Sequence, residues 1–448
     1  METHQEPLTF WQRNKLLFKS FFIGFLILVL LIPTFSIMYL IDDREKRHNE
    51  VIHEVSNKWA GAQTITGPFL VIPYVEEHET SDKKIERITK QLILLPDELS
   101  VNGKIATQVK HRSIFQVPVY TSNIKLSGKF DSIKVDKLIV PLERLQFEKA
   151  SVCVGISDFK GIGENLQLSW NKNISNFESG LPRLNWLSSG ITSPIVLSKE
   201  MMLNGTNDFE INVSLKGSEK LFITPFGNTT KMHLESDWVN PGFDGKYLPD
   251  TSLIDSKGFI ADWKILHFNR NYPQQFSEIN NEDIPSSAFG VNLVQPVNVY
   301  SQTMRSAKYA ILIIALTFFL YFFLEIFYRR SVHPLQYVLI GFALVIFYTL
   351  LLSISEYLPF SKAYLIAAVA TISLIGLYTK SIFKKWSIVL LFSFILSLLY
   401  LFIYVLIQLQ DNALLFGSIG LFILLSIIMY FSRKVSWSPA EKIQEATD

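Results

Sequence analysis

The chain has one cysteine, Cys153, in 448 residues, so no intrachain disulfide can form and any folded part outside a membrane must be held by its core. Cys153 sits in the apolar run Val152-Cys153-Val154 and reads as a buried strand position. Metal chemistry lacks material as well. The eight histidines are dispersed, there is no HExxH, and no carboxylate-rich loop has calcium-ligand spacing. His48 and His53, five apart, fall on different parts of a helix surface. Lys160-Gly161-Ile162-Gly163 lacks the third glycine and the following helix of a phosphate cradle, which leaves a tight turn. There is no GxSxG elbow. Nor is there a clustered basic face: the net charge is +2, and nucleic acid is excluded as a partner because phosphate neutralisation supplies most of such affinity.

Apolar residues, by contrast, make up 49% of the chain and are strongly clustered. Residues 20–40 carry no charge, and at ~1.5 Å rise per residue they cross a ~30 Å hydrocarbon core. The stretch is too long for a signal-peptide core and lacks a small-x-small cleavage pattern, so it is expected to be an uncleaved anchor. Further spans are predicted at 309–328, 334–355, 363–379, 386–408 and 412–431, six in all. The implied organisation is a cytoplasmic segment 1–19, a first span 20–41, a helical stalk 42–60, a β domain 61–307, a five-helix bundle 308–432 and a cytoplasmic tail 433–448. Residues 42–307 hold 29 Lys and Arg against 32 Asp and Glu, and the remainder 13 against 8. The insert is thus mildly acidic and the membrane part basic.

Loop charges set the expected orientation. With the N-terminus inside, the inner segments hold Arg13, Lys15, Lys19, Arg329, Arg330, Lys380, Lys384, Lys385, Arg433 and Lys434, whereas the short outer loops hold only Lys362. Both termini are then cytoplasmic and the insert lies outside. Trp11, Trp386 and Trp437 mark the proposed inner edges, and Pro334 suits a helix start.

Val51, Ile52, Val55 and Trp59 recur at helical spacing after the first span, which predicts a stalk whose apolar face packs on the insert's own body. Beyond Gly61 the period becomes two. Phe209, Ile211, Val213 and Leu215 alternate with polar residues, as do Ile124, Leu126 and Phe130, then Met232 and Leu234, then Phe259, Ala261, Trp263 and Ile265. Turns are expected at Asn102-Gly103, at 225–228 and at 240–245, and a long surface loop at 171–195. These patterns predict a mainly antiparallel β domain, one sandwich or two fused ones.

Burying a charge among lipid tails costs at least ~2.5 kcal/mol, so ionisable residues within spans are the places to look for function. Glu325 is the strongest, four residues before Arg329, and an i,i+4 ion pair would explain it. Glu356 and Asp411 sit at outer span ends.

The segments Arg305-Ser306-Ala307-Lys308-Tyr309-Ala310-Ile311-Leu312, Leu316-Thr317-Phe318, Leu324-Glu325, His333-Pro334-Leu335-Gln336-Tyr337 and Leu350-Leu351-Leu352-Ser353-Ile354-Ser355-Glu356 resemble the CreD family of bacterial inner-membrane proteins. Gly67-Pro68, Ile72-Pro73, Leu95-Pro96, residues 155–163 and Tyr247-Leu248-Pro249 resemble its extracytoplasmic half. The resemblance runs over nearly the whole chain. It implies an inner-membrane location, a role in cell-envelope integrity or stress response, and an association with colicin tolerance and two-component induction. It carries no catalytic, cofactor or metal residues. Lys308, Glu325, His333 and Glu356 are the matching candidates for whatever the bundle does, although membrane-edge anchoring explains each.

The reading that follows is a non-enzymatic membrane protein without cofactor. Its partners are the lipid bilayer and an envelope protein that the periplasmic β domain meets. The alternatives are a transporter or channel component for an amphiphile, and a membrane enzyme with an acid or base at the membrane edge.

Overall fold

The computed structural model describes residues 15–79, 85–133, 135–277, 283–293, 299–328, 330–409 and 412–433; Trp11, Arg13, Arg329, Asp411, Lys434 and Trp437 lie outside them. Contacts divide the chain into two compact units, one of residues up to His48 with those from Val297 onward, the other Asn49–Pro296.

Among the described residues six helices are long and apolar enough to cross a membrane, one near the N-terminus and five near the C-terminus. They are the anchor helix Lys15–Trp59, then Ala310–Phe327, Pro334–Ser355, Phe360–Phe383, Trp386–Gln408 and Ala413–Ser432. The fourth runs longer than its apolar stretch suggests. It starts directly after Pro359 and ends where Lys384 turns left-handed, φ 53°, as a helix C-terminus commonly does. In the anchor helix Ile23, Leu26, Leu30, Thr34, Ile37 and Ile41 are buried, a seam with steps of three and four. Leu30 meets the third span at Gly341, where a methyl group would lie 2.2 Å from Leu30 Cδ1. A short helix, Val299–Lys308, precedes the second span and buries Tyr300, Gln302, Thr303, Ser306 and Ala307.

The insert consists of two mixed sheets. The first runs Pro241–Gly245, Phe289–Leu293, Lys220–Thr224, Gln63–Glu79, Ser151–Ile156, Gly190–Pro194 and Glu178–Ser179, with Ile85–Leu94 also pairing Gln63–Glu79 and Gln275–Phe276 pairing Ile85–Leu94. The second runs Thr251–Asp255, Gly258–Leu266, Thr229–Ser236, Glu98–Arg112, Phe115–Phe130, Asn207–Ser218, Gln167–Trp170 and Asn173–Asn176. Pairing is antiparallel except for Gln63–Thr66 with Leu221–Thr224 and Glu98–Ile105 with Thr229–Ser236. Phe69, Val152 and Ile223 of the first sheet share one core with Val101, Leu126, Ile211 and Trp263 of the second, so the insert is sandwich-like around a single core. The period-two reading holds: Phe209, Ile211, Val213 and Leu215 are buried between outward polar neighbours.

Local expectations fare unevenly. Residues 225–228 do turn, carrying the chain from Lys220–Thr224 in one sheet to Thr229–Ser236 in the other. Asn102-Gly103 is no turn; it lies inside Glu98–Arg112, and Leu234 of the adjoining strand fills the space where a Gly103 side chain would stand, 2.5 Å away. Residues 241–245 form a strand against Phe289–Leu293. The stretch 171–195 is not one long surface loop. It contributes three short strands and places Trp186 against Phe69, Phe226 and Phe276 at centroid distances of 5.2, 6.0 and 5.9 Å. At the Asp255 to Gly258 hairpin, Gly258 adopts φ +140° against the Ser236 carbonyl, a position closed to a side chain.

The stalk face packs on the insert's body as its spacing predicts. The Trp59 indole donates to the Tyr120 carbonyl at 3.3 Å, and the Lys110 and Lys216 ammonium groups stand 4.6 and 5.1 Å from its ring. The Ser56 hydroxyl donates to Glu219 at 3.4 Å. Cys153 is buried beside Thr192, and burial pushes its thiol up to about 11.

Candidate functional site

The most connected polar group among the described residues of the membrane unit is Glu325, in the last two turns of Ala310–Phe327. The i,i+4 partner expected for it, Arg329, lies outside the described residues; the carboxylate meets Lys19 of the anchor helix. The Lys19 ammonium donates to Glu325 Oε1 and, at 2.8 Å, to the Val332 carbonyl. The Val332 amide donates to the same Oε1 at 3.2 Å, and the Tyr337 hydroxyl donates to Oε2 at 3.2 Å. Side-chain exposure is 16% for Lys19 and 13% for Glu325, which places the pair mostly out of solvent and makes its geometry energetically consequential.

Local sequence explains why the partners arrive there. His333 caps the third span: its Nδ1 accepts from the Leu335 amide at 3.2 Å, while the Gln336 side chain accepts from the His333 amide at 2.9 Å, with Pro334 at the first helical position. This start delivers Tyr337 one turn later and buries Val332 beside the carboxylate. Tyr337 lies fully buried against Phe318 and Tyr321, with centroids 5.6 and 6.1 Å away. The Tyr321 hydroxyl bonds Thr379 of the fourth span, and its ring meets Phe392 of the fifth edge-on at 4.7 Å. One chain of polar and aromatic contacts thus joins five spans.

The other candidates lie apart from this node. Glu356 closes the third span at its opposite end. Its Oε1 makes no hydrogen bond, but Arg44 Nε of the anchor helix stands 3.9 Å away, close enough for charge attraction only. Lys308 is exposed at the end of Val299–Lys308. The structure therefore brings Glu325 and the His333 cap together and leaves Lys308 and Glu356 outside the node. Sequence reasoning missed Lys19, Tyr337, Tyr321 and Thr379. Lys19 abuts the uncharged stretch and counted only as a topology charge, while a tyrosine in a span reads as packing.

The insert carries two further polar centres. Arg270, only 6% exposed, donates to the Tyr272 carbonyl at 2.9 Å, to the Phe226 carbonyl at 3.5 Å and to the Gln274 side chain, and no carboxylate pairs with it among the described residues. Gln274 in turn donates to the Leu95 and Pro96 carbonyls at 3.0 and 2.6 Å. Burial holds the guanidinium pKa below its usual value. This knot fastens the 225–228 crossover to the chain at 95–96. On the second sheet, His233 Nδ1 meets Asp262 at 2.6 Å and Nε2 meets Glu235 at 3.4 Å, and the Asp262 hydrogen bond raises the imidazole pKa.

The family model described as inner membrane protein CreD matches residues 15–438. The chain belongs to the CreD family. The inner membrane protein CreD of Escherichia coli (strain K12) is 31% identical over 417 residues, which cover 92% of this chain and 91% of that protein. A multi-pass inner-membrane protein follows from the family and the six apolar helices together. Solved structures of an M1 zinc metallopeptidase from Deinococcus radiodurans align over 38% of this chain and 38% of that one at 7% identity and a TM-score of 0.20, too remote to bear on fold or chemistry. What distinguishes CreD membership here is that it spans both the helices and the insert.

Proposed function

We infer that this protein supports cell-envelope integrity without catalysing a reaction, acting through its β insert on the extracytoplasmic face of the inner membrane, where the insert engages an envelope protein. The observation that carries the reading is the insert itself: two sheets with their own single core, inserted between the first and second spans of a CreD-family chain. A domain of this size presents surface for recognition, and loops and edges on a rigid scaffold are where such contacts form. The orientation rests on loop charge, with Lys19, Arg330, Lys380, Lys384, Lys385 and Arg433 at one set of span ends and Lys362 alone in the short loops at the other.

A transporter built from the bundle would need a carboxylate free to exchange protons or cargo. Glu325, the strongest candidate, has both oxygens engaged by Lys19, Val332 and Tyr337, and we assign it, with His333 as helix cap and Glu356 facing Arg44, to holding the spans together. In a strain lacking the chromosomal copy, the full chain should restore resistance to envelope-damaging detergent, and a membrane-inserted chain without residues 61–293 should not. Full restoration by the shortened chain would sink the proposal. Photocrosslinkers on the insert in intact cells should capture an envelope protein.

A further inference from the structure

The last span, Ala413–Ser432, buries none of its described side chains. It touches the fifth span where Gly420 admits the Phe402 ring, since a methyl group there would lie 2.2 Å from Phe402 Cζ. Beside this crossing the second, fifth and sixth spans leave a groove of about 710 Å³, lined by Phe323, Phe327, Ile395, Leu398, Ile423 and Ile427 among other apolar residues, with Thr317 and Tyr328 the only polar side chains. From Leu316 to Phe327 the groove follows its helix for roughly 17 Å, the reach of a fatty acyl tail.

An apolar groove facing lipid gains little from any particular hydrocarbon, so selectivity must come from its end. All three helices carry a cation within about two turns of the groove at the same end: Arg330 beyond Tyr328, Lys385 before Leu391 and Arg433 beyond Ile428. All three are exposed, and none forms an ion pair among the described residues. We propose that the groove holds one acyl chain of an anionic phospholipid whose headgroup sits at the Arg330, Lys385 and Arg433 end. The apolar walls accommodate the tail, and the three charges select an anionic head over a zwitterionic one by roughly tenfold or more.

The test uses the full chain reconstituted into phosphatidylethanolamine vesicles with a minority of phosphatidylglycerol, extracted in mild detergent, with retained lipid read by native mass spectrometry. One phosphatidylglycerol per chain should persist. Leu398→Trp, which fills the groove, should reduce retention about tenfold, and replacing Arg330, Lys385 and Arg433 together by Gln should keep a lipid bound while abolishing headgroup preference. Equal headgroup preference in the wild type and the triple variant would overturn the proposal, as would undiminished retention in Leu398→Trp. So would absent lipid with Ile423→Cys crosslinking to a second copy, which would make the groove a contact between chains.

Discussion

Removing the Glu325 carboxylate is the sharpest probe of how the bundle is held. In Glu325→Ala the Tyr337 hydroxyl and the Val332 amide lose their acceptor, and the Lys19 ammonium keeps only the Val332 carbonyl. Two hydrogen bonds to a charged group at about 1.5–3 kcal/mol each give roughly 3–6 kcal/mol, in line with the 3–5 kcal/mol typical of breaking a buried ion pair. A surface i,i+4 pair would be worth only about 0.3–0.5 kcal/mol, so the magnitude alone separates the two arrangements. Glu325→Ala and Lys19→Met should each destabilise the detergent-solubilised full chain by several kcal/mol in a denaturing-detergent titration. The double variant Lys19→Met with Glu325→Met should lose less than the sum of the singles, because no uncompensated charge remains, with a coupling on the order of 2 kcal/mol. A Glu325→Ala loss under about 1 kcal/mol, or strictly additive singles, would refute the assignment.

Three other outcomes can be checked on the insert within the intact chain. Arg270→Met strips donors from the Tyr272 and Phe226 carbonyls and from Gln274, and at about 1–3 kcal/mol per stranded group it should lower the insert's melting temperature by at least about 5 °C in calorimetry; an unchanged transition would refute the knot. His233 has a pKa raised chiefly by Asp262, so its stabilisation is complete below the ordinary histidine value near 6.5 and is lost as pH rises through the folded-state value. The melting temperature should therefore fall as the pH is raised above the ordinary histidine value, and His233→Asn should flatten that dependence; a slope unaltered by the substitution would count against it. Cys153, buried with its thiol pushed up to about 11, should resist maleimide at pH 8 until the insert unfolds, and rapid labelling of the native chain would contradict its placement.

The sequence displays most of the architecture because period and length are local properties. Phe209, Ile211, Val213 and Leu215 declare a half-buried strand within eight residues, and each apolar run is long enough to declare a span. What stays hidden depends on partners distant along the chain. Asn102-Gly103 carries a turn signal that tertiary packing overrides, because Leu234, 131 positions on, occupies the space that glycine leaves. Trp186 sits among Asn, Ser, Gly and Pro that suggest an open loop, yet Phe69 and Phe226 from other strands form its surroundings. Glu325 was legible as an exception, whereas its partner Lys19, 306 positions away, was not.

The strand Gln63–Glu79 is the first that the insert produces, yet it lies inside the first sheet, between Lys220–Thr224 and Ser151–Ile156, and Lys220–Thr224 is itself flanked by the last strand, Phe289–Leu293. Neither end of the insert is therefore an edge that can be trimmed. A growing chain can pair Leu70–Glu79 with Ile85–Leu94 as soon as that hairpin emerges, but Gln63–Thr66 meets its parallel partner Leu221–Thr224 only about 160 residues later, and loop closure over that distance makes this pairing slow. The first sheet stays incomplete until Lys220–Thr224 and Phe289–Leu293 appear, so the interval before them is the period in which an open strand edge leaves the insert most exposed to aggregation and proteolysis.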